Sequence, residues 1–135
     1  MRKPFTSDPV EVSARMRLIK GKNTKPELVL FEELSKAGIE FRPHVRIGRI
    51  EADAMLQEKL LIFVDSPFWH LRDDELLERL SPHWQSRLLK NRSRDRKYRR
   101  KLRAEGYSVI RFWADRLEAK NIINRVRRAL ANLNE

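Results

Sequence analysis

The unbroken apolar run Leu60-Leu61-Ile62-Phe63-Val64 constrains the fold of this chain more than any other segment. Its residues are mostly branched or aromatic, which predicts a strand covered on both faces, so the chain must supply a layer on each side. The run ends in Asp65-Ser66-Pro67-Phe68-Trp69-His70, where Ser-Pro forces a turn and leaves a carboxylate, two rings and an imidazole as the strand exits the core. Upstream, Asp53 lies across a polar break at Gln57-Glu58-Lys59. A hairpin there brings Asp53 and Asp65 to the same end of neighbouring strands. Convergent carboxylates beside a histidine can hold a divalent cation and move a proton.

The rest of the chain arranges itself around that strand. Residues 1–12 read as a flexible N-terminal arm and 13–135 as one domain. Ser7-Asp8-Pro9 opens a short helix to about residue 20, with Val12, Met16 and Ile19 on one side. Thr24 caps a second helix with Pro26 in its first turn and Gly38 at its end. Strands are predicted over 39–45, where Pro43 marks an edge, and over 52–56, 60–64 and 107–113. Between the last two, 71–82 is acidic and helix-prone, and 84–104 reads as one long helix. Asp115 caps a final amphipathic helix carrying Leu117, Ile122, Ile123, Val126, Ala129 and Leu130. The order is that of an α/β chain, a mixed sheet flanked by helices, with a site expected at the strand ends.

Charge points to the partner. The chain of 135 residues carries 30 basic and 19 acidic side chains, a net charge of +11, which suits a polyanion, nucleic acid first. Between 87 and 103 there are ten cations, among them Arg87, Lys90, Arg92, Arg94 and Arg96, against the single acid Asp95. Like charges repel along a helix, so so uniform a stretch is either a solvated face or a face that meets an anionic surface. The absence of cysteine excludes disulfides, thiol catalysis and a cysteine zinc site. No apolar run approaches the roughly 18 residues of a membrane span, so a cytoplasmic, nucleoid-associated protein without a membrane partner is expected.

Each candidate residue has two readings. Asp53 is an acid inside an apolar strand, either a metal ligand or a solvent-facing residue; burial without compensation costs several kcal/mol. Asp65 either supports the site or accepts backbone hydrogen bonds in the turn, and the two roles are compatible. Val64 can hold a metal through its carbonyl oxygen whatever its side chain. His70 is either a packed ring or a general base or acid, since histidine titrates near neutrality. Phe68 and Trp69 are either core aromatics or exposed rings that stack on or wedge between bases, with Met16 and Trp84 as further candidates.

At this level of detail the chain resembles the very-short-patch mismatch repair endonucleases, which nick DNA beside a T:G mismatch. The segments that carry the resemblance are Ser13-Ala14-Arg15-Met16-Arg17 with Lys22-Asn23-Thr24-Lys25-Pro26-Glu27, Gly48-Arg49 followed by Asp53, Phe63-Val64-Asp65 with Phe68-Trp69-His70, and Trp84, Asn91, Arg94, Asp95, Leu102, Gly106 and Trp113. The resemblance implies a restriction-endonuclease-like core and Mg²⁺, as two ions, held by Asp53 and the Val64 carbonyl. It implies that His70 acts on the attacking water, that Asp65 and Asp95 support the site, and that Glu27 borders it. Met16, Phe68, Trp69 and Trp84 match positions that enter the helix at the mismatch, and Lys22 joins the basic residues on double-stranded DNA. A monomer suffices for a nick, and other repair proteins are possible partners. The family's usual proline before the metal aspartate is replaced here by Ile50-Glu51-Ala52, with Glu51 as a rival carboxylate. Pro67 and Leu71 stand where members place zinc ligands, so structural zinc is not expected. Two alternatives stay open, a non-catalytic DNA-binding module of the same fold and a restriction or homing nuclease with another target.

Overall fold

The computed structural model describes residues 25–133. The expected arm, the first helix with Met16, Lys22, and the Thr24 cap lie outside the described residues. Helix α1 (Lys25–Lys36) leads into β1 (Arg42–Ile47), β2 (Ile50–Leu56) and β3 (Leu60–Asp65), followed by α2 (Pro82–Ala104), β4 (Ser108–Trp113) and α3 (Ala119–Leu133). The four strands lie in the order β1-β2-β3-β4. The first two pairings are antiparallel and β3–β4 is parallel, which requires α2 as the crossover between them. This mixed sheet flanked by helices is the restriction-endonuclease-like α/β core expected from the sequence.

β3 is central and covered on both faces, as its composition predicts. Leu60 and Ile62 pack with Leu30 and Leu34 of α1 and Ile122 and Val126 of α3, while Leu61 and Phe63 pack with Leu102 of α2. The polar break before it is a hairpin in which Gln57 (φ +51) and Glu58 (φ +57) both adopt the left-handed conformation. That is the conformation a tight turn between twisted antiparallel strands demands.

Four expectations shift. The edge strand begins at Arg42 rather than at 39, because Gly38 (φ +71) closes α1 and Ile39 and Phe41 turn into the core. β2 begins two residues early, at Ile50, because Gly48 (φ +62) permits a two-residue turn with Arg49. The acidic insert forms only a 3-10 segment, Asp74–Arg79, and Asp115 lies in another, Ala114–Arg116, instead of capping α3. The Asp115 carboxylate is taken by Arg72, whose Nη1 and Nη2 donate to its two oxygens at 2.8 and 2.9 Å.

Candidate active site

The site begins with a fault in the sheet. Pro43 pairs with Ala54 and Val45 with Ala52, which sets His44 across from Asp53, yet the ladder skips that pair and His44 has φ +50. Alternation slips at the same point, for Ala52 packs under α2 with Met55 while Ala54, two residues on, packs with α1 and α3. Pairing with β3 also stops at Ala54, and the Val64 N–H donates to Asp53 Oδ2 at 2.6 Å. The interruption lets a carboxylate stand among strands without stranding backbone donors. Glu27, in the first turn of α1, and His44 complete a group whose ligand atoms, with those of Asp53, all lie within 4.8 Å of one another.

That crowding sets the charge of Asp53. Burial pushes its carboxyl up to about 8, the Val64 N–H opposes the rise, and Glu27 and then Asp65 add to it. Such a carboxyl is neutral at physiological pH unless a cation takes the proton's place. Two carboxylates and an imidazole at this spacing are donors that fit a small divalent ion.

The second half of the site is a chain of ionic contacts. His70 Nδ1 hydrogen-bonds the Asp95 carboxylate, and His70 Nε2 lies 3.3 Å from Asp65 Oδ1. Asp65, at 4% exposure, receives Arg111 Nε at 2.8 Å and faces Arg99 Nη1 at 2.6 Å. The Arg99 N–H does not point along that line, so this is an ion contact rather than an aligned hydrogen bond. Burial raises the Asp65 pKa, but His70, Arg99 and Arg111 together outweigh it and hold the carboxyl below its ordinary range. Asp65 is therefore an anion bound by cations from β4 and α2. The alternative role in the turn falls to its neighbour, since Ser66 Oγ accepts the Trp69 N–H at 3.3 Å.

Asp53, Val64, Asp65, Trp69, His70 and Asp95 line one open cleft of about 430 Å³, together with Arg49, Glu51, Arg94, Tyr98 and Arg99. A larger hollow of about 860 Å³ between the end of α1 and the β2–β3 turn contains none of the groups just described. Chemistry, not volume, singles out the smaller one.

The turn that carries His70 is held by packing. Its backbone closes through His70 N–H to Ser66 O at 3.0 Å and Arg72 N–H to Pro67 O at 2.9 Å. Leu71, left-handed at φ +48 and fully buried, plugs a cluster with Phe68, Leu76, Leu80, Trp84 and Leu88. Arg72 reaches from the turn to Asp115 and lies over the Trp113 ring, 5.3 Å from its centroid. Of the two readings of these rings, the core one describes Phe68 and Trp84, which are each 6% exposed and fill that cluster. Trp69 is half-buried at its edge, with Arg87 between it and Trp84.

The basic stretch divides by helical period. Arg87, Lys90, Arg94, Arg96, Lys97, Arg100, Lys101 and Arg103 are exposed on α2. Arg92 is corrected from that face, because its guanidinium is spent on Asp74 and the Leu71 carbonyl. Arg99 points inward at 7% exposure. Three site residues escaped the sequence reading: His44, Arg99 and Arg111. The only sequence signal for Arg99 was its place on the buried stripe of α2, with Trp84, Leu88, Asn91 and Leu102.

A family model described as DNA mismatch endonuclease Vsr matches residues 6–76. The Type II nicking enzyme V.HpaIIP of Haemophilus parainfluenzae is 32% identical over 99 residues, covering 70% of each chain. V.NmeDIP of Neisseria meningitidis serogroup C is 30% identical over 105 residues, 74% of this chain and 71% of the relative. V.XorIIP of Xanthomonas oryzae is 30% identical over 102 residues, 73% and 75%. Among the described residues no helix is long and apolar enough to cross a membrane. The match spans α1, the hairpins and the His70 turn, and the chain accordingly belongs to the DNA mismatch endonuclease Vsr family, whose members act on DNA.

Proposed function

We propose that this DNA endonuclease nicks one strand at or near a T:G mismatch, using Mg²⁺ at Asp53. The observation that carries the reading is the convergence on one cleft of Asp53, the Val64 backbone and His70 held between two carboxylates. The relatives' printed names, nicking enzymes, support single-strand cleavage.

Each residue has a role that its contacts allow. Asp53 and the Val64 carbonyl hold the cation, of which two are expected, and Glu27 borders it. Bound there, the metal supplies charge stabilisation at the phosphoryl oxygens and the leaving oxygen. His70 acts on the attacking water, and the carboxylates beside its two ring nitrogens, Asp95 at Nδ1 and Asp65 at Nε2, stabilise the imidazolium that forms. Asp65, fixed by Arg99 and Arg111, orients the ring from the other side. The exposed cations of α2 follow the DNA backbone, with Arg94 closest to the chemistry because it alone of them also lines the cleft.

The burial of Phe68 and Trp84 in the DNA-free protein favours a second reading, a nuclease of this fold whose target is not a mismatch. Matched and T:G-mismatched duplexes, each with Mg²⁺ or with chelator, separate the cases. Mg²⁺-dependent nicking of the mismatched duplex alone, abolished by Asp53→Ala, is the expected result. Equal cleavage of both duplexes sustains the second reading, and tight binding without cleavage indicates a non-catalytic module.

A further inference from the structure

We propose that His44 is itself a ligand of the catalytic cation, completing with Glu27 and Asp53 a site of two carboxylates and one imidazole that binds Mn²⁺ in preference to Mg²⁺. The inference rests on the reading of Asp53 as the metal residue; it makes Glu27 a ligand rather than a bordering residue, adds His44, and assigns a metal preference.

His44 is positioned for this by an interruption in the sheet and by the ring beside it. On an edge strand a side chain is free to face solvent, yet this one stands opposite Asp53 at a gap in the ladder. Its ring meets the edge of Phe31 (centroids 5.6 Å, 87°), and Phe31 in turn stacks on Phe41 at 5.2 Å. The imidazole thus has a fixed plane. His44 Nε2 lies 4.0 Å from Glu27 Oε2, beyond hydrogen-bonding distance. Two ligands that each sit about 2.1 Å from one octahedral ion are about 3.0 Å apart when cis and about 4.2 Å apart when trans. The separation is that of donors around a common ion.

The donor set decides the metal. Mg²⁺ is a hard ion that takes oxygen ligands and keeps its waters, whereas imidazole nitrogen suits the first-row transition ions. One nitrogen among carboxylates therefore favours Mn²⁺ without excluding Mg²⁺. His70 offers no such donation, because its Nδ1 is committed to Asp95 and its Nε2 faces Asp65.

The test uses the full chain without DNA. Calorimetric titration of the unmutated protein should give a Kd for Mn²⁺ on the order of tenfold below that for Mg²⁺, in line with ligand preference. Electron spin-echo spectroscopy of the Mn²⁺ complex should show nitrogen-14 modulation from a bound imidazole. His44→Asn tolerates the left-handed backbone and removes the ring. It should abolish the modulation and bring the two Kd values together; should it misfold by circular dichroism, His44→Gly relieves the strain and replaces it. Modulation that survives at His44→Asn, or an unchanged Mn²⁺ to Mg²⁺ ratio, overturns the assignment of His44 while leaving Asp53 in place. Metal binding that persists in Asp53→Asn instead overturns the underlying reading.

Discussion

Replacing Asp53 by asparagine should stabilise the metal-free protein while removing its activity. The folded carboxyl is pushed up to about 8 by burial, with Glu27 adding to the rise, whereas in the unfolded chain it titrates near the ordinary 3.8. The folded state therefore holds this proton more tightly, so stability from the protonated group is complete below the unfolded value and is lost as pH rises towards 8. Between the unfolded value and about pH 7 lie roughly 3 pH units at about 1.4 kcal/mol each, a penalty of about 4 kcal/mol. Asparagine carries no charge, and its carbonyl can accept the Val64 N–H that Asp53 now takes at 2.6 Å. A gain of about 2–4 kcal/mol, or on the order of 10 °C in Tm, is expected at about pH 7 in chelator. At about pH 3 the two proteins should nearly coincide, since the Asp53 carboxyl is then largely protonated in both the folded and the unfolded state. Urea denaturation at both pH values measures the difference. An asparagine variant no more stable than its parent at neutral pH, or equally more stable at both, would refute this account of Asp53.

Further perturbations probe other parts of the fold. Arg99→Met leaves the Asp65 carboxylate, 4% exposed, with one cation fewer, and should cost about 3 kcal/mol near neutral pH. Because the Asp65 pKa is lowered in the fold, that deficit should shrink as pH falls through the carboxylate range, which chemical denaturation at acid and neutral pH will show. Arg87→Ala and Lys90→Ala should each lower the slope of log affinity against log salt by about 1 if those cations meet phosphates. Arg92→Ala should leave the slope unchanged and lower stability instead, since its partners are Asp74 and Leu71. The double change Gln57→Asn with Glu58→Gly places turn residues at two left-handed positions. It should raise stability by about 1 kcal/mol with nicking unaltered; an unchanged or lower Tm would contradict the turn assignment.

What the sequence discloses follows from how local each signal is. β3 is legible because five consecutive apolar residues admit few other structures, and the β2–β3 hairpin because a polar break interrupts two apolar runs. Asp53, Asp65, His70 and Asp95 are legible as chemistry-bearing types near those strand ends, and the cleft collects all four. His44 is not, because in the sequence it is one residue of a polar edge strand, and only α1 folding back brings Glu27 beside it. Arg99 looks like any other member of a cationic run until the helical period turns it inward. Which of the two readings Phe68 and Trp84 take is hidden in the sequence for a related reason. Their cover comes from leucines scattered through an acidic insert, where the charges obscure an apolar stripe made of Leu71, Leu76 and Leu80.

Asp65 also bears on how the protein comes into being. Its carboxylate joins β3 to Arg99 on the crossover helix and to Arg111 on β4, so the acid is neutralised by residues 34 and 46 positions later in the chain. A nascent chain halted before β4 would already contain Asp53, Asp65, His70 and Asp95, but its central strand would have an open edge and its buried anion would lack Arg111. Long-range parallel pairing is among the last and slowest steps of folding. Assembly of the proposed site is thereby tied to completion of the sheet, and a truncated translation product would carry its residues without the means to align them.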